Sequence, residues 1–306
     1  MKFLDPYRTI KGEERASVTL KELKTLWFNT GSLCNLACKN CYIESSPKND
    51  RLAFITAGEV VSFLKEIKDQ SLPVGLIGFT GGEPFANPHF MEILKTTLDD
   101  GFEVLVLTNA YKTIKKSFEG LTTLKRQYAE KLHLRVSLDH YSKDVHEAER
   151  GPRTFDETLS NLKWLVDSGF TTSIAGRSLK KEPMDLALAE YQQLLGSRDI
   201  KLTLELGQNI VIFPEMDPLR EVPEISTGCW SILKKSPADQ MCSSERMIVK
   251  KKGQEAPTVM PCTLLAYDEQ FELGQSLKEA RRTVQLNHRF CAEFCVLGGA
   301  SCSSTK

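Results

Sequence analysis

The sequence predicts an α/β fold: an open, curved (β/α)6 partial barrel followed by a small cysteine-rich C-terminal segment. Two observations lead there. Between about Leu23 and Phe213, six strand-like runs alternate with segments of helical periodicity, the pattern of a parallel sheet with crossover helices. Six is short of the eight strands of a closed barrel, so a partial barrel and a doubly wound sheet both fit. After residue 228 the alternation stops, and six of the nine cysteines follow.

The strand candidates are LKTLWFNT (23–30), VGLIGFT (74–80), EVLVLTN (103–109), LHLRVSL (132–138), TTSIAGR (171–177) and KLTLEL (201–206). Helix starts lie between them. Thr56 with Glu59 reads as a capping box, Asn87–Pro88 as a cap with a first-turn proline, and Thr154 with Glu157 as a second box. FPEMDPLREVPEISTG (213–228) carries three prolines and mixed charge and reads as a linker. Beyond it, ERMIVKKKG and TVMPC suggest a hairpin, Gly274–Leu286 a helix, and SCSSTK a frayed tail. The expected organisation is an N-terminal extension (1–22), a barrel (23–212), the linker, and a cysteine-rich unit (229–306).

Composition excludes little. Apolar residues make up 41% and charged residues 26% of 306 positions, and 40 basic side chains balance 40 acidic ones. There is no global attraction for a polyanion, so no nucleic-acid partner is evident. The N-terminus lacks the apolar core of a signal peptide, and no apolar run is long enough for a bilayer. The expectation is a cytoplasmic protein with no membrane association. In a reducing compartment, nine cysteines are not a disulfide framework. Three lie within eight residues, none falls between Cys41 and Cys229, and six crowd the last quarter. Two metal sites are the natural reading.

Cys34-x3-Cys38-x2-Cys41 follows the first strand directly, on the rim where parallel α/β folds place their chemistry. Three clustered thiolates suit a soft metal or an iron–sulfur cluster. A cubane with three protein ligands keeps one iron open. A zinc site borrowing a fourth ligand is the alternative.

The motif, with Tyr42 after its last cysteine, resembles the signature of the radical S-adenosylmethionine (SAM) superfamily. FTGGEPF at the second strand end extends the resemblance: Gly81, Gly82, Glu83 and Pro84 match the family's segment that receives the methionyl amino group of SAM. Two glycines let a ligand approach the main chain closely. Asn109, Ser137, Asp139 and Arg177, at the ends of the next three strands, match weaker family positions that contact SAM, and an arginine there can pair with a carboxylate. The resemblance spans about residues 23–210 and implies a partial TIM barrel. It also implies a catalytic [4Fe–4S] cluster binding SAM, reductive cleavage of SAM to a 5′-deoxyadenosyl radical, hydrogen abstraction from a substrate, and an electron donor such as flavodoxin or ferredoxin.

The C-terminal cysteines look like the family's SPASM or twitch extension. Cys242, Gly253, Cys262 and the pair Cys291 and Cys295 follow its order. The glycine-to-cysteine interval is longer than usual, however, and the pair is C-x3-C where the family has C-x2-C. One auxiliary [4Fe–4S] cluster on Cys242, Cys262, Cys291 and Cys295 is expected, with Cys302 as substitute ligand; a structural zinc or two clusters are alternatives. Cys229 is left over as a buried apolar residue, a further cluster ligand or a hydrogen-donating thiol.

His140 and His146, past the fourth strand, and Glu205, ending the sixth, are candidate bases. For the substrate, a small metabolite is expected, because only about twenty-two residues precede the first strand, too few for a leader-binding domain. A ribosomally made precursor peptide is the alternative. A non-catalytic zinc-stabilised binding protein is a distant third reading, and GGEP speaks against it.

Overall fold

The computed structural model describes residues 1–179, 182–216 and 220–303. One sheet dominates it. Its barrel strands are β2 (Thr25–Asn29), β3 (Leu76–Thr80), β4 (Glu103–Thr108), β5 (Leu132–Ser137), β6 (Thr171–Ser178) and β7 (Ile210–Pro214), all parallel and adjacent in chain order. A doubly wound sheet would reverse its order at a switch point. This one never does, so the partial barrel is the fold. The helices between the strands are α1 (Ala57–Asp69), α2 (Phe90–Asp99), α3 (Phe118–Tyr128), α4 (Lys143–Arg150), α5 (Phe155–Asp167) and α6 (Met184–Ser197).

The core follows from the strand sequences. Parallel strands covered on both faces need continuous apolar runs, and in β2 all five residues are buried. Trp27 fits because its register partner is Gly78, where any Cβ would lie 2.2 Å from the indole. Phe28, Phe79 and Phe90 pack in sequence, with ring centroids 5.8 and 5.5 Å apart.

The sixth strand corrects the sequence reading. KLTLEL alternates in polarity, leaves Lys201, Thr203 and Glu205 exposed, and makes only an isolated bridge from Leu206 to Ile210. The strand is the uninterrupted apolar run that follows, Ile210–Pro214. Alternation marks a half-exposed strand, and a parallel strand in a barrel is not half exposed.

Beyond the barrel, α7 (Cys229–Leu233) is short, and β8 (Glu245–Val249) adds in parallel to β2 on the side of the sheet away from β7. Trp27 Nε1 donates to Glu245 Oε2 at 2.7 Å and fastens that junction. β9 (Thr258–Met260) pairs antiparallel with β8, the expected hairpin. β1 (Ser17–Val18) pairs with β10 (Val284–Gln285), so the first residues of the chain pack on the last quarter. Gly274–Leu286 is not a helix: it holds a single 3-10 turn, Glu279–Arg281, and then β10. The carbonyl of Ala280, which a helix would bond to residue 284, accepts instead from Arg246.

Of the caps, Thr56 and Glu59 form the full box. Thr154 does not cap α5; its hydroxyl donates to Gly151 O. The helix expected after Asn87–Pro88 begins at Phe90, and the Asn87 amide instead ties Thr30 and Ile55 carbonyls together. The tail is anchored as far as it is described: Ser301 and Ser303 hydroxyls donate to Glu245 Oε1, and Cys302 is buried. Residues 304–306, and 217–219 of the expected linker, lie outside the described residues. Among the described residues, no helix is long and apolar enough to cross a membrane.

Candidate active site

The loop after β2 and the turn after β3 are stitched together main chain to main chain. Thr30 N donates to Thr80 O, Gly82 N to Gly31 O and Glu83 N to Leu33 O, at 2.8, 2.8 and 3.3 Å. A Cβ on Gly82 would stand 2.1 Å from Leu33 O, and Gly81 has φ +132°. Both positions therefore require glycine. The pairing sets the glycine turn beside the loop that carries Cys34, Cys38 and Cys41.

One cavity gathers most of the expected residues. Cys34, Cys38, Cys41 and Tyr42 line it with Gly81 and Gly82, and Asn109, Ser137, Asp139 and Arg177 complete the wall. Glu83 and Pro84 stand behind it. The Glu83 carboxylate accepts from Thr108 Oγ1 and Asn109 N, both at 2.8 Å, and from Phe85 N at 3.2 Å. It locks the turn to the end of β4 and does not point a free acceptor into the cavity. Burial pushes its pKa up to about 7, against those three hydrogen bonds.

Asp139 is the electrostatic centre of the rim. Burial alone would raise its carboxyl, but Arg150 and then Arg177 hold it down at about 2. Arg150 grips it with two hydrogen bonds; Arg177 stands off at 3.5 Å and donates to Asn40 O.

Several cavity residues were absent from the sequence reading, among them Arg135, Arg150 and Ser45. Arg135 was readable, because it lies two residues before Ser137 on the same face of β5. Arg150 was not, since nothing local distinguishes it among 40 basic side chains.

The proposed bases are not in the wall. His140 is buried, with Nδ1 accepting from Ser142 N and Nε2 3.3 Å from Glu182. His146 is buried on α4 against Phe155, and burial, then Arg150, pushes its pKa down to about 4. Glu205 is exposed and ends no strand. Cys229 opens α7, its sulfur accepting from Ser226 N, and lines neither this cavity nor the second.

The second cavity is almost wholly apolar. Cys242, Cys262, Cys291 and Cys295 line it together, among Leu264, Leu265, Leu286 and Phe290. Cys291 and Cys295 lie on a π-helix, Cys291–Leu297, where a spacing of four keeps both on one face. That accounts for the C-x3-C spacing. Cys302 departs from the expectation: it lines the first cavity, and its sulfur accepts from Thr263 Oγ1 at 3.2 Å.

The donor sets fit iron–sulfur clusters. Burial pushes the thiols up, Cys34 and Cys262 to about 12 and Cys242 to about 11, so thiolates here need cationic iron beside them. Main-chain amides of Leu36 and Ser45 point at the Cys34 and Cys41 sulfurs, at 3.4 and 3.3 Å, as thiolate ligands require. Ser45 Oγ is buried in the cavity wall with no partner among the described residues, a polar group suited to a bound molecule. Among the described residues, no three ligating side chains converge on a single ion; the cysteines instead share the lining of their cavities.

Comparison with known proteins agrees. The radical SAM superfamily profile matches residues 28–179. The antilisterial bacteriocin subtilosin biosynthesis protein AlbA of Bacillus subtilis is 32% identical over 169 residues, 54% of this chain and 36% of that protein. The AdoMet-dependent heme synthase of Methanosarcina barkeri is 27% identical over 162 residues, 51% of this chain and 44% of that protein. The chain thus spans less than half the length of either. Among solved structures, anSMEcpe with bound AdoMet superposes with a TM-score of 0.61 at 17% identity, covering 91% of this chain and 81% of that one. Streptococcus suis SuiB bound to S-adenosylmethionine gives 0.57 at 15% identity, covering 83% and 63%. These two share the fold. The matched residues 28–179 contain the cysteine loop, the glycine turn and the polar strand ends of the first cavity, and the chain belongs to the radical SAM superfamily, which works with a [4Fe–4S] cluster and S-adenosylmethionine.

Proposed function

We propose that the chain is an oxidising radical SAM enzyme: it abstracts a hydrogen atom from its substrate at the first cavity, and a second cluster in the cysteine-rich segment accepts an electron. The supporting observation is the shared wall of the first cavity, where three thiols, the glycine turn and the polar strand ends face one space. When bound, the cluster and SAM supply a 5′-deoxyadenosyl radical.

The protein's part is binding and orientation. Cys34, Cys38 and Cys41 hold three irons and leave one open. The main chain at Gly81–Gly82 receives an ammonium. Arg177, only loosely engaged by Asp139, is free to take a carboxylate, whereas Arg150 is committed to Asp139. Asn109 donates to Asn35 Oδ1 at 2.9 Å and reaches the Cys34 sulfur at 3.6 Å, which steadies the loop. Cys242, Cys262, Cys291 and Cys295 hold the auxiliary cluster. An external electron donor such as flavodoxin or ferredoxin reduces the catalytic one.

A small metabolite is the first reading for the substrate. The likeness to a bacteriocin biosynthesis protein supports a precursor peptide equally well. Anaerobically reconstituted protein given SAM and dithionite tests the chemistry: 5′-deoxyadenosine is expected, and zinc in place of iron sinks the proposal. Incubation with short peptides encoded beside the gene separates the substrates. A peptide mass reduced by lost hydrogens supports the peptide reading; unaltered peptides support the metabolite.

A further inference from the structure

Arg246 lies on β8 and is fully buried. Its guanidinium is spent on main-chain carbonyls: Nε donates to Ala280 O at 2.9 Å, Nη1 to Cys242 O at 2.6 Å and Glu245 O at 2.7 Å, and Nη2 to Arg282 O at 3.4 Å. Among the described residues it forms no ion pair. The neighbouring Glu245 carboxylate is committed elsewhere, to the Trp27 indole and the Ser301 and Ser303 hydroxyls. A guanidinium cannot shed its proton in a protein, so a full positive charge sits in the interior with dipoles as partners and no counter-charge. Carbonyl dipoles take four of its five N–H groups but do not neutralise it, and a buried uncompensated charge is costly.

The position of that charge is specific. Cys242, whose carbonyl it holds, lines the second cavity, and so do Val284 and Leu286 just beyond the Ala280 and Arg282 carbonyls. A cubane with four thiolate ligands is a net anion in each of its usual states. We propose that Arg246 is the counter-charge of this anion and sets the reduction potential of the auxiliary cluster, a positioning and tuning residue with no contact to substrate. The inference rests on the two-cluster reading above. Through a low-dielectric interior a fixed positive charge favours the added electron, so the potential with Arg246 is higher than without it.

The test is an anaerobic redox titration followed by electron paramagnetic resonance on holoenzyme. The auxiliary signal is the one that SAM does not alter. Parent, Arg246→Lys and Arg246→Gln proteins are compared, with iron counted in each. The expected result is a more negative auxiliary potential in the Gln variant and a value near the parent's in the Lys variant, with the catalytic cluster unmoved. If the Gln variant loses the auxiliary iron while the Lys variant keeps both iron and potential, charge is again the requirement. An unchanged potential in a fully loaded Gln variant overturns the inference alone. So does a Lys variant that shifts as far as Gln or loses its iron with it, since the side chain then acts through its bonds. A parent holding only the catalytic cluster defeats the two-cluster reading itself.

Discussion

Arg150, at the end of α4, holds Asp139 by two parallel hydrogen bonds, Nε to Oδ2 at 2.8 Å and Nη2 to Oδ1 at 2.9 Å, with both side chains out of solvent. The pair closes the cavity rim beside Cys38. It commits Arg150 and leaves Arg177, the other arginine facing Asp139, available.

Asp139→Asn removes the countercharge of two guanidinium groups. Breaking a buried pair in this way costs about 3–5 kcal/mol, so a clear drop in thermal midpoint is expected by calorimetry. A midpoint equal to the parent's would show the pair to be dispensable.

The same carboxyl predicts an acid limit. Its folded pKa, about 2, lies below the unfolded value, so its contribution is complete above about pH 4. It is lost as the pH falls from there toward 2. Denaturant titrations of parent and Asp139→Asn at falling pH should therefore converge, by about 2 kcal/mol across that window.

Gly82→Ala puts a methyl group against the Leu33 carbonyl, immediately before Cys34. The chain cannot yield there without parting the glycine turn from the cysteine loop. The expected result is a loss of catalytic iron and at least about a hundredfold less 5′-deoxyadenosine, the scale at which misplacement by an ångström slows reactions. Iron assay and product chromatography measure both.

Glu83→Ala leaves three buried donors without their acceptor. Unmet buried donors cost about 1–3 kcal/mol each, and the turn loses its tie to β4. SAM cleavage should fall more than iron content does, because the cysteine loop keeps its own bonds to the chain. Equal losses would mean that Glu83 supports the whole loop.

Iron content separates the two cavities. Two cubanes give about eight irons per chain, and replacing Cys242, Cys262, Cys291 and Cys295 with alanine should leave about half. Cys302→Ala should leave all of it, because Cys302 lines the first cavity and not the second. An auxiliary signal lost in Cys302→Ala would restore that cysteine as a ligand.

The sequence alone determined the barrel strands β2 to β6, the cysteine triplet and the glycine turn, because each is written in neighbouring residues. Continuous apolar runs encode buried parallel strands, and thiols three and four positions apart need no distant partner to be read together. The tertiary structure decided what depends on residues remote in the chain. It moved the sixth strand to Ile210–Pro214, since burial on both faces selects the apolar run over the alternating one. It turned His146 into the interior by packing α4 against α5, and His140 toward Glu182, both off the cavity wall. It put Cys302 on the wall of the first cavity, where the Ser301 and Ser303 hydroxyls fasten the tail to Glu245 on β8. The charge of Arg246 is plain in the sequence. That it is buried beside the second cavity, with no carboxylate partner among the described residues, is set by long-range packing, which no local pattern records.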